Sequence, residues 1–129
     1  MSKQVRMALS AFNTQLIDFV DELSQTYTEE KDLAKALNAL KALKKVNPKL
    51  IHSGFMEYVY PDFAQHVKDE NEEALMTQAN NFLNGEFSEY AFTYVIFARH
   101  WTTMSETNKR AIWNYCKVIV ALAEKAAGM

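Results

Sequence analysis

Apolar residues recur every three or four positions along most of the chain, which is the spacing of helices with one buried face. This repeat predicts a first helix over residues 3–26 and a second over about 29–46. Thr28 is placed to cap the second helix, because a threonine hydroxyl can accept a hydrogen bond from a free N–H of the first turn. The apolar positions behind these two predictions are Leu9, Phe12, Leu16, Phe19, Val20, Leu23, Leu33, Leu37, Leu40 and Leu43.

Two prolines divide the middle of the chain. Pro48 suits the first position of a third helix, and Asn47 stands where a cap is needed. Pro61 lacks an N–H donor and is expected to interrupt that helix, which then continues for a turn or two to Lys68. A further helix is predicted over residues 72–83, where apolar residues again follow the helical spacing.

The stretch Phe87–Trp101 is the most apolar and aromatic part of the chain. Its centre, Phe92–Phe97, is rich in residues that favour strands, but a lone strand would have nothing to pair with in a helical chain. We therefore predict a helix with Ser88 as its cap. Apolar groups point in nearly every direction, so this helix must be buried on most sides. A last helix is predicted from its cap, Ser105, to about Ala126.

The composition indicates one all-α domain over residues 1–129, a compact bundle of about five to six helices. Glycine (3) and proline (2) are scarce, whereas sheet proteins use more of both in their turns. The hydrophobic content of 49% is enough for a self-supporting core. A net charge of −2 argues against a strong nonspecific nucleic-acid binder.

The single cysteine, Cys116, excludes an intrachain disulfide and favours a reducing, intracellular compartment. The N-terminal residues lack the apolar core of a secretory signal. No apolar run reaches the roughly 18 residues of a membrane-spanning helix, so no membrane span is expected. These features predict an intracellular location.

Few residues indicate chemistry. The three histidines lie far apart in sequence and match no metal motif, so no metal or cofactor is expected. His66 and Asp69 are the closest candidate pair, and a surface hydrogen bond is the simpler interpretation. Cys116 lies among apolar residues and is expected to be buried and inert, so no catalytic residue is assigned. The acidic cluster Asp69–Glu73 is either a contact for a metal or basic partner or, more simply, a solvated turn at the start of a helix.

The C-terminal third carries a family resemblance. From Trp101 to Tyr115 the chain reads W-x-x-M-S-x-x-N-K-x-x-I-W-x-Y, followed by KVIVALAEK. With Phe12–Leu23, Glu29–Leu33, Val46–Ile51 and Phe55–Pro61, this resembles a group of small uncharacterised helical proteins of large nucleocytoplasmic DNA viruses, especially those infecting algae. The resemblance implies a viral, intracellular or virion-associated protein and carries no known activity or functional residue.

Three functions remain open at this stage. The first is a non-enzymatic structural or protein-interaction module, such as a virion or capsid component, that binds a protein partner or its own copy through surplus aromatics. The second is a nucleic-acid-associated protein that uses the lysines of residues 31–49. The third is a ligand-binding protein or enzyme with a pocket near Tyr94, His100 and Trp101. The residues expected at a partner interface are Phe92, Tyr94, Phe97, Trp101, Tyr58 and Phe63.

Overall fold

The structure is a computed structural model that describes residues 2–84 and 92–129. These residues form α-helices and one short 3₁₀ turn, with no β-strand among them. The α-helices are α1 (Lys3–Thr26), α2 (Lys31–Val46), α3 (Pro48–Tyr58), α4 (Tyr60–Lys68), α5 (Glu72–Asn84), α6 (Phe92–Arg99) and α7 (Glu106–Ala126). The 3₁₀ turn, Trp101–Thr103, connects α6 to α7. The prediction of an all-α bundle is confirmed.

The longest helices, α1 and α7, form an antiparallel pair. The ring of Phe19, late in α1, lies 5.0 Å from that of Tyr115, early in α7. Ala8, early in α1, instead lines a groove with Lys125, late in α7. The start of α1 therefore lies beside the end of α7, and the end of α1 lies beside the start of α7. The pair forms one side of the bundle.

Helix α6 lies in the centre of the core. Phe92, Tyr94, Val95, Ile96 and Phe97 are all buried, with exposed fractions between 1% and 8%. The Phe97 ring lies 5.0 Å from the Trp101 ring and 6.0 Å from the Trp113 ring. The prediction that this helix is buried on most sides is confirmed for the residues described. Its predicted cap, Ser88, and the start of the stretch at Phe87 lie outside the described residues.

The prediction for the start of α2 is wrong. We expected Thr28 to cap a helix beginning near residue 29, but α2 begins at Lys31 with Glu30 at the N-cap, and no side chain caps it. The Glu30 carboxylate instead accepts two hydrogen bonds from the Arg99 guanidinium, at 2.9 and 3.0 Å. A long-range ion pair with the end of α6 thus replaces the local cap.

The prolines divide the chain as predicted. Pro48 lies in the first turn of α3, and the helix breaks between Tyr58 and Tyr60, next to Pro61. Asn47 occupies the N-cap position of α3, but its side chain makes no capping hydrogen bond. Ser105 does cap α7, where its Oγ accepts a hydrogen bond from the Asn108 N–H at 3.1 Å.

Candidate functional site

The structure buries five of the six side chains expected at a partner interface. Phe92, Tyr94, Phe97, Trp101 and Phe63 have exposed fractions between 1% and 8%. Their rings contact one another and their neighbours, such as Phe63 against Tyr94 at 6.1 Å between centroids. These aromatics belong to the core because α6 is packed on several sides at once. Tyr58, at the end of α3, is 55% exposed.

Tyr94, His100 and Trp101 do not converge on one pocket. Tyr94 packs 4.8 Å from the Phe82 ring, between α5 and α6. Trp101 packs 5.2 Å from Trp113 and donates its indole N–H to the Glu72 carboxylate at 3.0 Å. Neither lines a cavity with His100 among those we describe. The geometry of the described residues gives the ligand-pocket hypothesis no support.

His100 lies beside two carboxylates at the end of α6. Its ring stacks on Tyr27 at 4.3 Å between centroids. Its Nε2 atom lies 3.5 Å from a Glu30 carboxylate oxygen and 3.9 Å from one of Glu29. Across the described ranges, no group of three or more His, Cys, Asp or Glu side chains could hold a metal ion. This cluster therefore joins the start of α2 to the end of α6.

Cys116 is buried in the core beside a small apolar cavity of about 30 Å³. Burial raises the pKa of its thiol to about 12, because the charged thiolate is poorly solvated there. At neutral pH the group remains a protonated thiol. The prediction that Cys116 is buried is confirmed.

Within the acidic cluster, Glu70 forms an ion-paired clamp onto α7. Its carboxylate accepts hydrogen bonds from the two terminal nitrogens of the Arg110 guanidinium, at 2.6 and 2.7 Å, and from the ammonium of Lys117. The hydrogen bond expected between His66 and Asp69 is not formed, because the Asp69 carboxylate accepts a hydrogen bond from the Gln65 side-chain amide instead. The simpler interpretation, a charged turn leading into α5, fits the described contacts.

Glu70 has the backbone of a residue that would normally be glycine. Its φ of 50° lies in the left-handed region, which costs a non-glycine residue about 1–2 kcal/mol. The Asn71 N–H binds the His66 carbonyl and the Glu70 N–H binds the Val67 carbonyl, as in a Schellman end to α4. The ion pairs with α7 give a reason for a glutamate at a position that favours glycine.

The Glu70→Gln variant should lose much of the wild type's acid sensitivity. The Arg110 hydrogen bonds, followed by the Lys117 contact, lower the pKa of Glu70 from 4.5 to about 2. Because this pKa is depressed in the folded state, the carboxylate stabilises the fold above pH 4.5, and that contribution is lost as the pH falls toward 2.

Thermal unfolding at neutral pH and near pH 2.5 measures this difference. At neutral pH the wild type should unfold at a higher temperature than the Glu70→Gln variant. In acid the unfolding temperatures of the two proteins should become similar. Glu73→Gln, an exposed neighbour in the same cluster, is the matched control and should follow wild type. Equal acid sensitivity in the Glu70→Gln variant would contradict the clamp.

The largest of the four cavities and grooves described here lies between the start of α1 and the end of α7. Its volume is about 620 Å³. Met7 and Met129 at its edge are 61% and 71% exposed. It is lined by Ser2, Gln4, Val5, Met7, Ala8, Ala11, Leu122, Lys125, Gly128 and Met129. We call the surface formed by Met7, Ala11, Val118, Leu122 and Met129 the α1–α7 face.

One stripe of α7 extends this face beyond the groove. Tyr115, Val118, Leu122 and Lys125 are separated by three or four residues and therefore share a side of the helix, and Met129 follows shortly after the end of α7 at Ala126. Val118 in the middle of the stripe is 45% exposed. Sequence reasoning missed this surface because it followed the buried stripe of α7 and the aromatic residues; the apolar spacing of this second stripe was the available signal.

The comparisons with known proteins identify no relative. No family model, curated protein or solved structure matches this chain. The resemblance to algal-virus proteins therefore stays a prediction. None of the helices in the described part of the chain is long and apolar enough to cross a membrane.

Proposed function

We propose that the protein is a non-enzymatic protein-interaction module that binds a second copy of itself through the α1–α7 face. The observation that carries this proposal is the exposed, mainly apolar groove between the ends of α1 and α7. Apolar surface of this kind on a folded domain generally marks an interface. Methionines such as Met7 and Met129 suit one, because their flexible side chains adapt to the opposing surface.

The dimensions of the face match a standard interface. Helices α1 and α7 have 24 and 21 residues, so the pair is about 30 Å long. A stable dimer of ordinary size buries about 800 Å² on each partner. That area is roughly a tenth of the 7457 Å² that the chain exposes. Two adjacent helices of this length can supply it.

The charges on the face complement those of a second copy in an antiparallel arrangement. Lys125 lies at one end and Asp18, on the outer side of α1, at the other, and neither forms an ion pair with a described residue. A two-fold axis between them brings Lys125 of each copy to Asp18 of the other. This self-complementarity is what an isologous interface requires.

The same axis also pairs the apolar residues. Phe19 lies beside Tyr115, so in this antiparallel pair Lys125 lies beside about residue 9 of α1. The point halfway between Lys125 and Asp18 along the helix pair then lies beside about residue 120 of α7. An axis at that point passes between Val118 and Leu122. Val118 of one copy then meets Leu122 of the other at the centre of the interface, where apolar contacts contribute most.

Charge reversal tests this arrangement. Lys125→Glu and Asp18→Lys should each raise the dissociation constant of the dimer several-fold, because each places like charges opposite one another twice. The double variant should return it toward the wild-type value. Sedimentation velocity on the three variants measures these constants. If the loss of association free energy in the double variant equalled the sum of the losses in the two single variants, this result would contradict the pairing.

A central apolar substitution gives a larger effect. Val118→Lys should raise the dissociation constant at least tenfold, since it places two lysines at the centre of the interface. Val46→Lys is the matched control, because Val46 is also an exposed valine and lies at the end of α2, away from the face. If both variants weakened association equally, the result would contradict an interface at the α1–α7 face.

A further inference from the structure

The junction of α2 and α3 is an exposed corner of unusual composition. Every residue from 44 to 50 is exposed, which is the longest such run in the described part of the chain. The sequence of this run, KKVNPKL, interleaves three lysines with three apolar residues. We call residues 44–50 the α2–α3 corner.

The apolar residues of the corner point into solvent. Val46 is 84% exposed and Leu50 is 49% exposed, and both lie within one turn of Pro48. Single exposed apolar residues are common, but two large aliphatics and a proline at one protruding corner form a small apolar tip. The tip does not belong to the α1–α7 face, which is formed by other helices.

The corner also carries a concentrated positive charge. No acidic residue occurs between Asp32 and Glu57, whereas Lys41, Lys44, Lys45 and Lys49 fall within nine positions. None of these four lysines forms an ion pair with a described residue. The lysines and arginines of α4, α6 and α7 do, with the exception of Lys125; examples are Lys68 with Glu124 and Arg110 with Glu70. The overall charge of −2 thus conceals a basic corner.

The corner is held in place from inside. The side-chain amide of Asn13, which is only 1% exposed, donates a hydrogen bond to the Pro48 carbonyl at 3.1 Å. Ile51, the next residue after the corner, is 2% exposed and anchors α3 in the core. The apolar tip and its lysines are therefore presented by a fixed turn and require little ordering when they bind.

We propose that the α2–α3 corner binds the surface of a membrane that contains anionic phospholipids. Lysines near such a surface each contribute about 1 kcal/mol of attraction. Val46, Pro48 and Leu50 then enter the boundary between headgroups and acyl chains, as the apolar sides of interfacial anchors do. The lysine stems can lie along the same boundary with their ammonium groups at the level of the phosphates.

The composition of the corner favours a lipid surface over a nucleic acid. Residues 41–50 contain no arginine to form paired hydrogen bonds with phosphates and no aromatic ring to stack on a base. Exposed aliphatic residues have no complement on a phosphate backbone, whereas the interior of a bilayer accepts them. Charge and apolar surface thus favour the same occupant.

Vesicle co-sedimentation tests the proposal. The purified protein should bind vesicles of phosphatidylcholine with about one quarter phosphatidylserine and should leave pure phosphatidylcholine vesicles in solution, with affinity falling as salt rises. Replacing Lys44, Lys45 and Lys49 together by glutamine should lower the affinity on the order of 100-fold. The Val46→Ser, Leu50→Ser double variant keeps every charge, but its affinity for the anionic vesicles should still fall several-fold.

A matched control separates the corner from total charge. Glutamine at Lys3, Lys31 and Lys35 removes the same three charges at exposed positions outside the corner, and this variant should bind nearly as well as wild type. Equal binding to neutral and anionic vesicles, or equal losses in the two triple variants, would overturn the proposal. Salt-sensitive binding to an oligonucleotide without vesicle binding would also overturn it and assign the corner to nucleic acid. Circular dichroism checks that every variant is folded.

Discussion

Replacing Trp101 by alanine is expected to lower the free energy of unfolding by about 3–5 kcal/mol. The side chain is 1% exposed and packs against the rings of Phe97 and Trp113. Its indole N–H also binds the Glu72 carboxylate, and the Lys109 ammonium lies 5.3 Å from the centre of its ring. Truncation leaves a large cavity between α6 and α7, and a loss of this size is a large fraction of the stability of an ordinary domain.

Urea denaturation measures this loss. Thr102→Ala is the matched control, because Thr102 belongs to the same 3₁₀ turn and is exposed. The control should change the free energy of unfolding by no more than about 0.5 kcal/mol. A Trp101→Ala protein within about 1 kcal/mol of wild type would show that the aromatic residues around α6 do not form the core.

Replacing Asn13 by aspartate should destabilise the protein by about 3–5 kcal/mol at neutral pH. Asn13 is 1% exposed, and its amide donates to the Pro48 carbonyl at 3.1 Å. Aspartate has nearly the same shape, but it places a buried negative charge against that carbonyl. The side-chain oxygen of Asn13 already has no hydrogen-bond partner among the described atoms, so no donor is ready to stabilise the new carboxylate.

The pH dependence identifies the cause of this loss. Burial raises the pKa of an aspartate in the folded state, so the destabilisation is largest at neutral pH and shrinks as the pH falls toward about 4. Thr14→Asp, at the exposed next position of α1, is the control and should show neither the loss nor its recovery in acid. An Asn13→Asp protein as stable as wild type at pH 7 would mean that this side chain is not buried.

Helix positions were predictable where the spacing and the caps agreed. Residues 3–26 carry an uninterrupted apolar repeat, and α1 has these bounds in the structure. Ser105 was predicted as a cap and does bind the Asn108 N–H. Thr28 shows the limit of such reasoning, because the ion pair that positions Glu30 involves Arg99, 69 residues away.

Burial was harder to predict than helix position. The aromatic surplus of residues 87–101 suggested side chains left over for a partner, but the amount of surface that a core absorbs depends on how many helices surround α6. The structure places α6 among rings from several helices, such as Phe63 of α4 and Trp113 of α7. The spacing of residues along a chain does not report these distant contacts.

Two polar residues depend on contacts that the spacing could not show. In the sequence, Asn13 is one polar residue of an amphipathic helix, yet its side-chain amide donates a hydrogen bond to a backbone carbonyl 35 residues later. Glu70 is part of an acidic run in the sequence, yet its backbone is in the left-handed region. Its carboxylate binds Arg110, 40 residues later. The α1–α7 face, in contrast, had a signal in the second apolar stripe of α7, which can be found by searching a helix for more than one stripe.

Sedimentation equilibrium of the wild-type protein, from about 1 µM to about 100 µM, tests the proposed self-association most directly. Association through the α1–α7 face predicts an average mass that rises with concentration from the 14.8 kDa of one chain toward twice that value and then stays constant. A mass that stays at 14.8 kDa over the whole range would contradict the proposed function. A mass that continues to rise beyond two chains would contradict the two-fold arrangement.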